Sequence, residues 1–396
     1  MTQQPLAGIT VLDFGQIYNG PYCGFLLAMA GARVIKVESP QGESLRGRSE
    51  TSSASYPFAM LNSNKDAVTL NLKSERGRGL LRELVRKADV LLENFSPGTM
   101  DRHGVGSDAL QAINPRLIYA AATGFGRTGI HRDYLAMDIT VQAMTGVMSI
   151  TGEGEGPPLK AGPALCDFLG GIHLYGAIVT ALFQRERTGA GLVVDVAMQD
   201  AVFPTLASQI GALHFLGKHP TRNGNRHAAL SLAPYNVYRA RDGHVAIICI
   251  REGHWRNLLD AMQRPELAND PRFADMTTRA VNMELVDAVV EAWTSTLDKA
   301  DVFRIAQAHD IICAPVQDLV DVLDDPHLLA RGMLSKQVHP MLGDAVLPST
   351  PLRFEGIVPP PLRMSRALGA DNETVYGELL GLSPNEVALL RAEDAI

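Results

Sequence analysis

Asp167 is the side chain in this sequence best placed to do chemistry, because it interrupts an otherwise apolar and glycine-bearing segment, Gly162-Pro-Ala-Leu-Cys-Asp167-Phe-Leu-Gly-Gly171. A carboxylate among apolar neighbours loses hydration, which raises its energy as an anion and makes it a better nucleophile or proton acceptor than a surface acid. A second reading is structural. The run Ile172 to Phe183 has helical character, and Asp is a preferred N-cap for a helix beginning near Phe168. The two roles can coexist. Other reactive types form no comparable constellation: the 11 histidines show no H-E-x-x-H spacing, and His103, His131, His173, His214 and His219 read as ordinary surface or core residues. Serine hydrolysis lacks its G-x-S-x-G elbow. Cys23, Cys166, Cys249 and Cys313 are scattered in apolar contexts without a C-x-x-C pair, which indicates reduced buried thiols, no metal site and a cytoplasmic protein.

The elements that would position Asp167 alternate between strand and helix. Ile9 to Phe14 reads as a strand, Gly15 to Gly20 as a turn, Pro21 to Ala30 as a helix, Gly31 as its stop and Arg33 to Glu38 as a second strand. This is a βαβ unit with Pro21 at a favourable first helical position, and it predicts an α/β fold with a parallel, Rossmann-like sheet. Glu38 at the end of the second strand raises the possibility of a dinucleotide site, since an acid there can hold a ribose. The turn argues against it. Gly15-Gln-Ile-Tyr-Asn-Gly20 never gives G-x-G-x-x-G, and Ile17 and Tyr18 stand where a pyrophosphate needs bare backbone. The pattern continues with a strand at Ala67 to Leu72, a helix at Glu75 to Ala88, strands at Val90 to Glu93 and Leu117 to Ala122, and helical stretches at Ile172 to Phe183 and Val196 to Leu216 around a strand at Leu192 to Val196.

At 396 residues the chain exceeds the size of one ordinary core, so two domains are expected. We place the first part of a large domain at 1–200, a linker helix region at 201–224, a smaller α+β domain at 225–325, and a linker returning to the large domain at 326–396. Tyr235 to Arg239 and His244 to Ile250 suggest a hairpin in the small domain, Arg331 to Phe354 suggests short antiparallel strands, and Glu386 to Arg391 a last helix. The net charge of −7 supplies no basic stripe for nucleic acid, and the apolar runs are interrupted before the roughly 18 residues a membrane span needs. The start of the sequence lacks the basic and apolar regions of a signal peptide.

Several stretches, taken in order, resemble the class III CoA-transferases, also called the CaiB/BaiF family, which includes formyl-CoA transferase. They are Leu6-Ala-Gly-Ile-Thr-Val-Leu-Asp-Phe14, Gly20-Pro-Tyr-Cys23, Gly31-Ala-Arg-Val-Ile-Lys-Val-Glu38, Leu61-Asn-Ser-Asn-Lys65, Val68-Thr-Leu-Asn-Leu-Lys73, Glu93-Asn-Phe-Ser-Pro-Gly98 and Asn114-Pro-Arg-Leu-Ile118. Each is weak alone, and their order and spacing are specific. The resemblance implies a Rossmann-like large domain built from both chain ends, a small domain on long linkers, and two subunits interlocked as a homodimer. It also places the family's catalytic acid at Asp167, ahead of Gln184-Arg-Glu-Arg-Thr-Gly189.

In family terms the Asp167 carboxylate attacks an acyl-CoA thioester to leave a mixed anhydride, and returning CoA thiolate converts it to an aspartyl-CoA thioester that an acceptor acid then discharges. Coenzyme A enters as substrate and no permanently bound cofactor or metal is implied. By alignment its site would comprise Tyr18 and Asn19, Leu70, Asn71, Leu72 and Lys73, Asn94, Phe95 and Ser96, Arg102, and Ala136, Met137 and Asp138. The chain departs from formyl-CoA transferase in having Tyr18 for a glutamine and Ser39 for an arginine. It also lacks the tetraglycine loop, offering Asn223-Gly-Asn-Arg-His227 in that region. Arg46, Arg48, Arg222, Arg226 and His227 lie in polar loops suited to a second carboxylate, which suggests a dicarboxylic acceptor such as succinate, itaconate, malate, citramalate or glutarate, with succinyl-CoA as donor.

Two alternatives carry different expectations. An α-methylacyl-CoA racemase of the same family would need a histidine where this chain has Met137, which cannot exchange protons. A non-catalytic CoA-binding protein could keep the fold without turnover, and Asp167 in its family-like setting speaks against that.

Overall fold

A computed structural model describes residues 3–46, 56–217, 222–340 and 342–396; Arg48 and His219 lie outside them. The chain divides into two units, one comprising Met1–Thr145, Ala161–Pro204 and Asp325–Ile396, the other Gly146–Lys160 and Thr205–Asp324.

The first unit is built on a six-stranded sheet of β1 (Thr10–Asp13), β2 (Arg33–Glu38), β3 (Asp66–Thr69), β4 (Val90–Glu93), β5 (Ile118–Thr123) and β6 (Val193–Ala197) in the order β3-β2-β1-β4-β5-β6. Every pairing is parallel. Parallel strands buried on both faces need apolar residues at successive positions, and these strands have them. Leu12, Ile35, Val68 and Leu91 face one core with α2 (Glu75–Val85) and the C-terminal helices Asn372–Leu380 and Pro384–Ala392; Val11, Val34, Val90 and Ile118 face another beneath α1 (Asn19–Met29) and α4 (Leu165–Thr188). Between β5 and α4 the chain forms α3 (Asp138–Met144), and β6 runs into α5 (Met198–Val202). The sheet is the class expected. The helix Asn372–Leu380 was not anticipated.

Three local expectations change. Helix α1 starts at Asn19, so Pro21 occupies its third position, where its missing N–H is still one that no intrahelical acceptor would have taken. Helix α4 starts at Leu165, so Asp167 sits inside the first turn and is not the N-cap, which is Ala164. This same helix is long and apolar enough to cross a bilayer by those two measures, contrary to the expectation that all apolar runs are too short. Its Leu174, Ile178, Ala181 and Leu182 are instead buried in the core beneath the sheet.

Charges are buried under the turn after β1. Lys65 Nζ lies 2.6 Å from Asp13 Oδ2 and also donates to the Pro21 carbonyl at 2.9 Å and Asn62 Oδ1 at 3.0 Å, which uses all three ammonium protons. Lys36 bonds Glu43 at 2.9 Å and also the Gly15 carbonyl. All four charged side chains are buried. Removing one partner of such a pair strands the other in a medium that cannot solvate it.

The second unit holds α6 (Ala207–Leu216) and an antiparallel sheet in the order β7 (Tyr235–Ala240), β8 (Gly243–Ile248), β9 (Ile312–Pro315). The hairpin matches expectation, and β9 is an addition. Its core joins Val245 and Ile247 to Trp255, Leu258, Val286, Val290, Val302 and Ala306 on α7 (Glu252–Ala261), α8 (Met283–Thr294) and α9 (Lys299–Ala308). Beyond it, β10 (Leu334–His339) and β11 (Gly343–Pro348) form an antiparallel pair in the first unit, as the proline-broken stretch suggested.

The Lys65→Met variant is expected to lose about 3–5 kcal/mol of stability, the usual consequence of breaking a buried pair from one side. Urea unfolding measures this, and a loss below about 1 kcal/mol would show that the pair is not structural.

Candidate active site

Strand order reverses direction between β1 and β4, and the loops after these two strands separate there to leave a crevice, the usual ligand position in an open parallel sheet. A cavity of about 530 Å3 occupies this place. Gln16, Ile17 and Asn19 enter it from the turn after β1, Asn94 to Pro97 and Thr99 from the loop after β4, Thr123 and Gly124 from the end of β5, and Tyr134 to Met137 and Thr140 from the approach to α3. Ala122 from β5, Asp167 from α4 and Met198 from α5 complete the lining.

The two walls are tied together. Gln16 N donates to Asn94 Oδ1 at 2.7 Å while Asn94 Nδ2 donates to the Gln16 carbonyl at 2.9 Å. Asp13 Oδ1 accepts from Gly15 N at 2.7 Å, and a Cβ on Gly15 would stand 2.6 Å from the Gly20 carbonyl carbon. The turn therefore closes on itself only with glycine there. Ile17 adopts φ 64°, a left-handed conformation costly for a β-branched residue, and such strain persists where surrounding bonds over-determine it.

Asp167 is 8% exposed and receives no hydrogen bond on its carboxylate among the described residues. Burial, and then the charge of Asp138, push its pKa up to about 7. Asp138 also acts on the backbone. Its Oδ1 accepts from Cys166 N at 2.7 Å and from Asp167 N at 3.3 Å, so it provides the cap that α4 lacks at Ala164. Its Oδ2 accepts from Gln142 Nε2 at 2.6 Å. One carboxylate thus fixes the backbone of the other's helix turn while making that other carboxylate harder to ionise. Burial and the same two acids push the Cys166 thiol up to about 12, so this neighbour stays neutral and does not compete as a nucleophile.

Of the residues expected here, Asn19, Asn94, Phe95, Ser96, Ala136, Met137 and Asp167 meet in the cavity. Tyr18 lies beside it, its ring 6.0 Å from that of Phe168, and Phe168 in turn meets Tyr22 at 4.8 Å. Arg102 donates to the Pro97 carbonyl at 3.0 Å and Thr99 Oγ1 at 2.9 Å, bracing the loop from outside. Leu70 is buried, Leu72 packs against the core, Asn71 Nδ2 bonds the Asp394 carbonyl at 2.8 Å, and Lys73 is exposed. These follow β3 on the same carboxyl edge of the sheet. The cations expected for an acceptor carboxylate are already engaged. Arg46 pairs bidentately with Glu38, at 2.8 and 2.7 Å, and stacks over Phe58; Arg226 holds Asp287 at 2.8 Å; Arg222 bonds the Glu153 and Gly154 carbonyls. His227 Nδ1 lies 3.1 Å from Ser231 Oγ.

Sequence reading missed Gln16, Thr99, Thr123, Tyr134, Thr140 and Met198, which carry no chemical signature and reach the cavity only through the strand order. It also missed Glu93, whose carboxylate is desolvated at the end of β4, accepts from Phe95 N at 2.9 Å, and is pushed up to about 7.

The fold is α/β, with a crevice at the switch point of its sheet and an acid set in the first turn of a helix beside it. The chain matches the model of CoA-transferase family III over residues 6–372 and belongs to that family, a class of CoA-transferases. It is 38% identical to a formyl-CoA:oxalate CoA-transferase of Streptomyces coelicolor, covering 100% of both chains. It is 37% identical to a succinyl-CoA:mesaconate CoA-transferase of Haloarcula marismortui, covering 90% of this chain and 91% of that one. A crystal structure of a CAIB/BAIF family protein from Brucella suis superposes with a TM-score of 0.85 at 34% identity, over 96% of this chain and 100% of that one.

The Asp167 carboxyl is expected to titrate near pH 7 in carbon-detected NMR, and Asp138→Asn, which keeps the capping oxygen and removes the like charge, should move that titration to lower pH. An unchanged titration would show that burial alone sets it.

Proposed function

We propose that the chain transfers coenzyme A from an acyl-CoA, with succinyl-CoA as donor, to a dicarboxylic acid, through covalent intermediates on Asp167. The observation that carries this reading is the placement of one desolvated, unbonded carboxylate in the switch-point cavity of a CoA-transferase fold. A carboxylate so held is poorly solvated as an anion and loses little on attacking a thioester carbonyl. Its acyl anhydride remains activated toward CoA thiolate, and the aspartyl thioester that follows remains activated toward an acceptor carboxylate, so each exchange stays near energetic balance. The relatives' acceptors, oxalate and mesaconate, are both dicarboxylic acids by name.

The CoA chain is proposed to lie along the carboxyl edge of the sheet, over Tyr18 and Asn19, Asn94 to Ser96 and Ala136 to Asp138, with Leu70 to Lys73 and Arg102 toward its phosphates. Lys73 and Arg102 are both exposed, and Arg102 would meet an anion alongside its bonds to the Pro97 carbonyl and Thr99 Oγ1. Arg46, Arg226 and His227 are retained as candidates for the acceptor's second carboxylate, and use of either arginine would require exchanging its present acid partner for the substrate. Met137 at the cavity wall offers no proton, which favours transfer over racemisation. Four buried free thiols suit a reducing cytoplasm. The exposed apolar side chains Ile172 and Phe183 on α4 supply a surface for the proposed homodimer.

Acyl-CoA donors combined with carboxylic acids, with CoA products read by mass spectrometry, test the reading directly. Asp167→Ala should abolish exchange, and a variant retaining more than a few per cent would refute the covalent route. Because the ionised form attacks, kcat/KM should fall as pH drops through about 7, the value to which Asp167 is raised, and Asp138→Asn should carry that limb to lower pH. Acyl-CoA without acceptor should leave a hydroxylamine-sensitive mass on the peptide that contains Asp167.

A further inference from the structure

Asn19 is the first residue of α1, lines the Asp167 cavity and is 2% exposed. Its Oδ1 is buried and has no hydrogen-bond partner among the described residues. A buried amide left unpaired costs on the order of 1–3 kcal/mol, and the chain could have avoided this with an apolar side chain of similar size. The side chain is also held in place. An ideal Cβ on Gly170 would stand 2.4 Å from Asn19 Nδ2, and one on Gly171 would stand 2.7 Å from the Asn19 carbonyl, so two successive glycines of α4 make room for this residue and no larger backbone substituent. Gly170 follows Asp167 by three positions, which places it on the same helix face, one turn along. The carboxamide therefore rests on the turn that carries the reactive acid, and the bonded turn Gly15–Gly20 fixes its backbone.

We infer that Asn19 is a catalytic residue, its Nδ2–H donating to the acyl group that Asp167 attacks. This rests on the reading of Asp167 as nucleophile. When an Asp167 oxygen adds to the thioester carbonyl carbon, the C–O bond to Asp167 forms and the carbonyl π pair moves onto the acyl oxygen. Nδ2–H, the end of the amide that lies against the α4 turn, donates to that oxygen. Collapse restores the carbonyl and breaks the C–S bond, and the electron pair leaves with CoA thiolate. The same donor serves when thiolate adds to the Asp167 acyl carbon. A donor of this kind is needed because the sequence has no run of glycines whose backbone amides could form a loop over the site. The α1 N-terminus, where Asn19 sits, adds the positive end of an 11-residue helix to the same oxygen.

Three variants test this: Asn19→Ala, Asn19→Asp and Asn19→Gln, each measured for kcat, for KM of the acyl-CoA and for the rate at which the Asp167 adduct forms in a single turnover. Loss of one oxyanion donor lowers kcat by about 100- to 1000-fold, so Asn19→Ala should lose that much while KM changes by less than about threefold. Asn19→Asp has the same shape but cannot donate when ionised and repels Asp167, so it should be at least as slow and should move the acid limb of kcat/KM to higher pH. Asn19→Gln retains the donor at a shifted position and should recover part of the rate. Turnover within threefold of the parent for both Asn19→Ala and Asn19→Asp overturns the inference while leaving Asp167 as nucleophile intact. A slow Asn19→Asp whose acid limb does not move overturns it in favour of packing. A parent enzyme that forms no Asp167 adduct with any acyl-CoA removes both readings together.

Discussion

The close approach of α1 to the first turn of α4 is the constraint on which the site depends. Gly170 and Gly171 present bare backbone to Asn19, and Cβ atoms at these positions would stand 2.4 and 2.7 Å from its atoms. With the helices this close, Asp167 is largely buried, and its desolvation follows from packing. The aromatic contacts of Phe168 with Tyr18 and Tyr22 extend the same seam on either side. A larger residue at either glycine would separate the helices, hydrate the acid and return its pKa toward an ordinary value, so the acid's environment and the scaffold are set by one contact.

Electrostatics then divide the labour between two acids. Asp138 is spent on backbone N–H groups and stays fixed, whereas Asp167 keeps its carboxylate unbonded. Had Asp167 been the cap, its oxygens would have been stabilised as an anion by amide donors and its pKa lowered. The cap supplied from α3 releases it. The turn after β1 is stabilised in a comparable indirect way: Asp13 and Lys36 bond Gly15 from below, while Lys65 and Glu43 neutralise them. Paired charges beneath the turn hold Ile17 in an unfavourable conformation without placing any charge in the cavity itself.

Much of this was legible in the sequence, for identifiable reasons. Strand β4 begins with an uninterrupted apolar run, and β2 sets Val34, Ile35 and Val37 between a glycine stop and Glu38, so their limits follow from composition; Asp167 stands out because it is charged in an apolar stretch. The role of Asp138 was not legible, since it acts on a backbone 28 residues away that only the folded chain brings near. The arginines show the opposite difficulty. Arg46 and Arg226 look available in a linear reading because nothing in their neighbourhood reveals that Glu38 and Asp287 will reach them. Elements are set by local pattern, whereas the partners of long side chains are set by topology.

The unpaired amide of Asn19 and the unbonded carboxylate of Asp167 belong to the same physical argument. Folding normally pairs buried polar groups, and the surrounding turn mostly does so, with reciprocal bonds between Gln16 and Asn94 and a fully bonded Lys65, while Glu43 Oε1 beneath it has no partner among the described residues. Where such a neighbourhood leaves the Asp167 carboxylate and the Asn19 amide incomplete on facing helix turns among the described residues, a partner with an electrophilic carbon for the acid and an acceptor oxygen for Asn19 Nδ2–H would engage both. An acyl thioester has both on adjacent atoms, which is why the incompleteness of the site describes its substrate more narrowly than the residues that fill it.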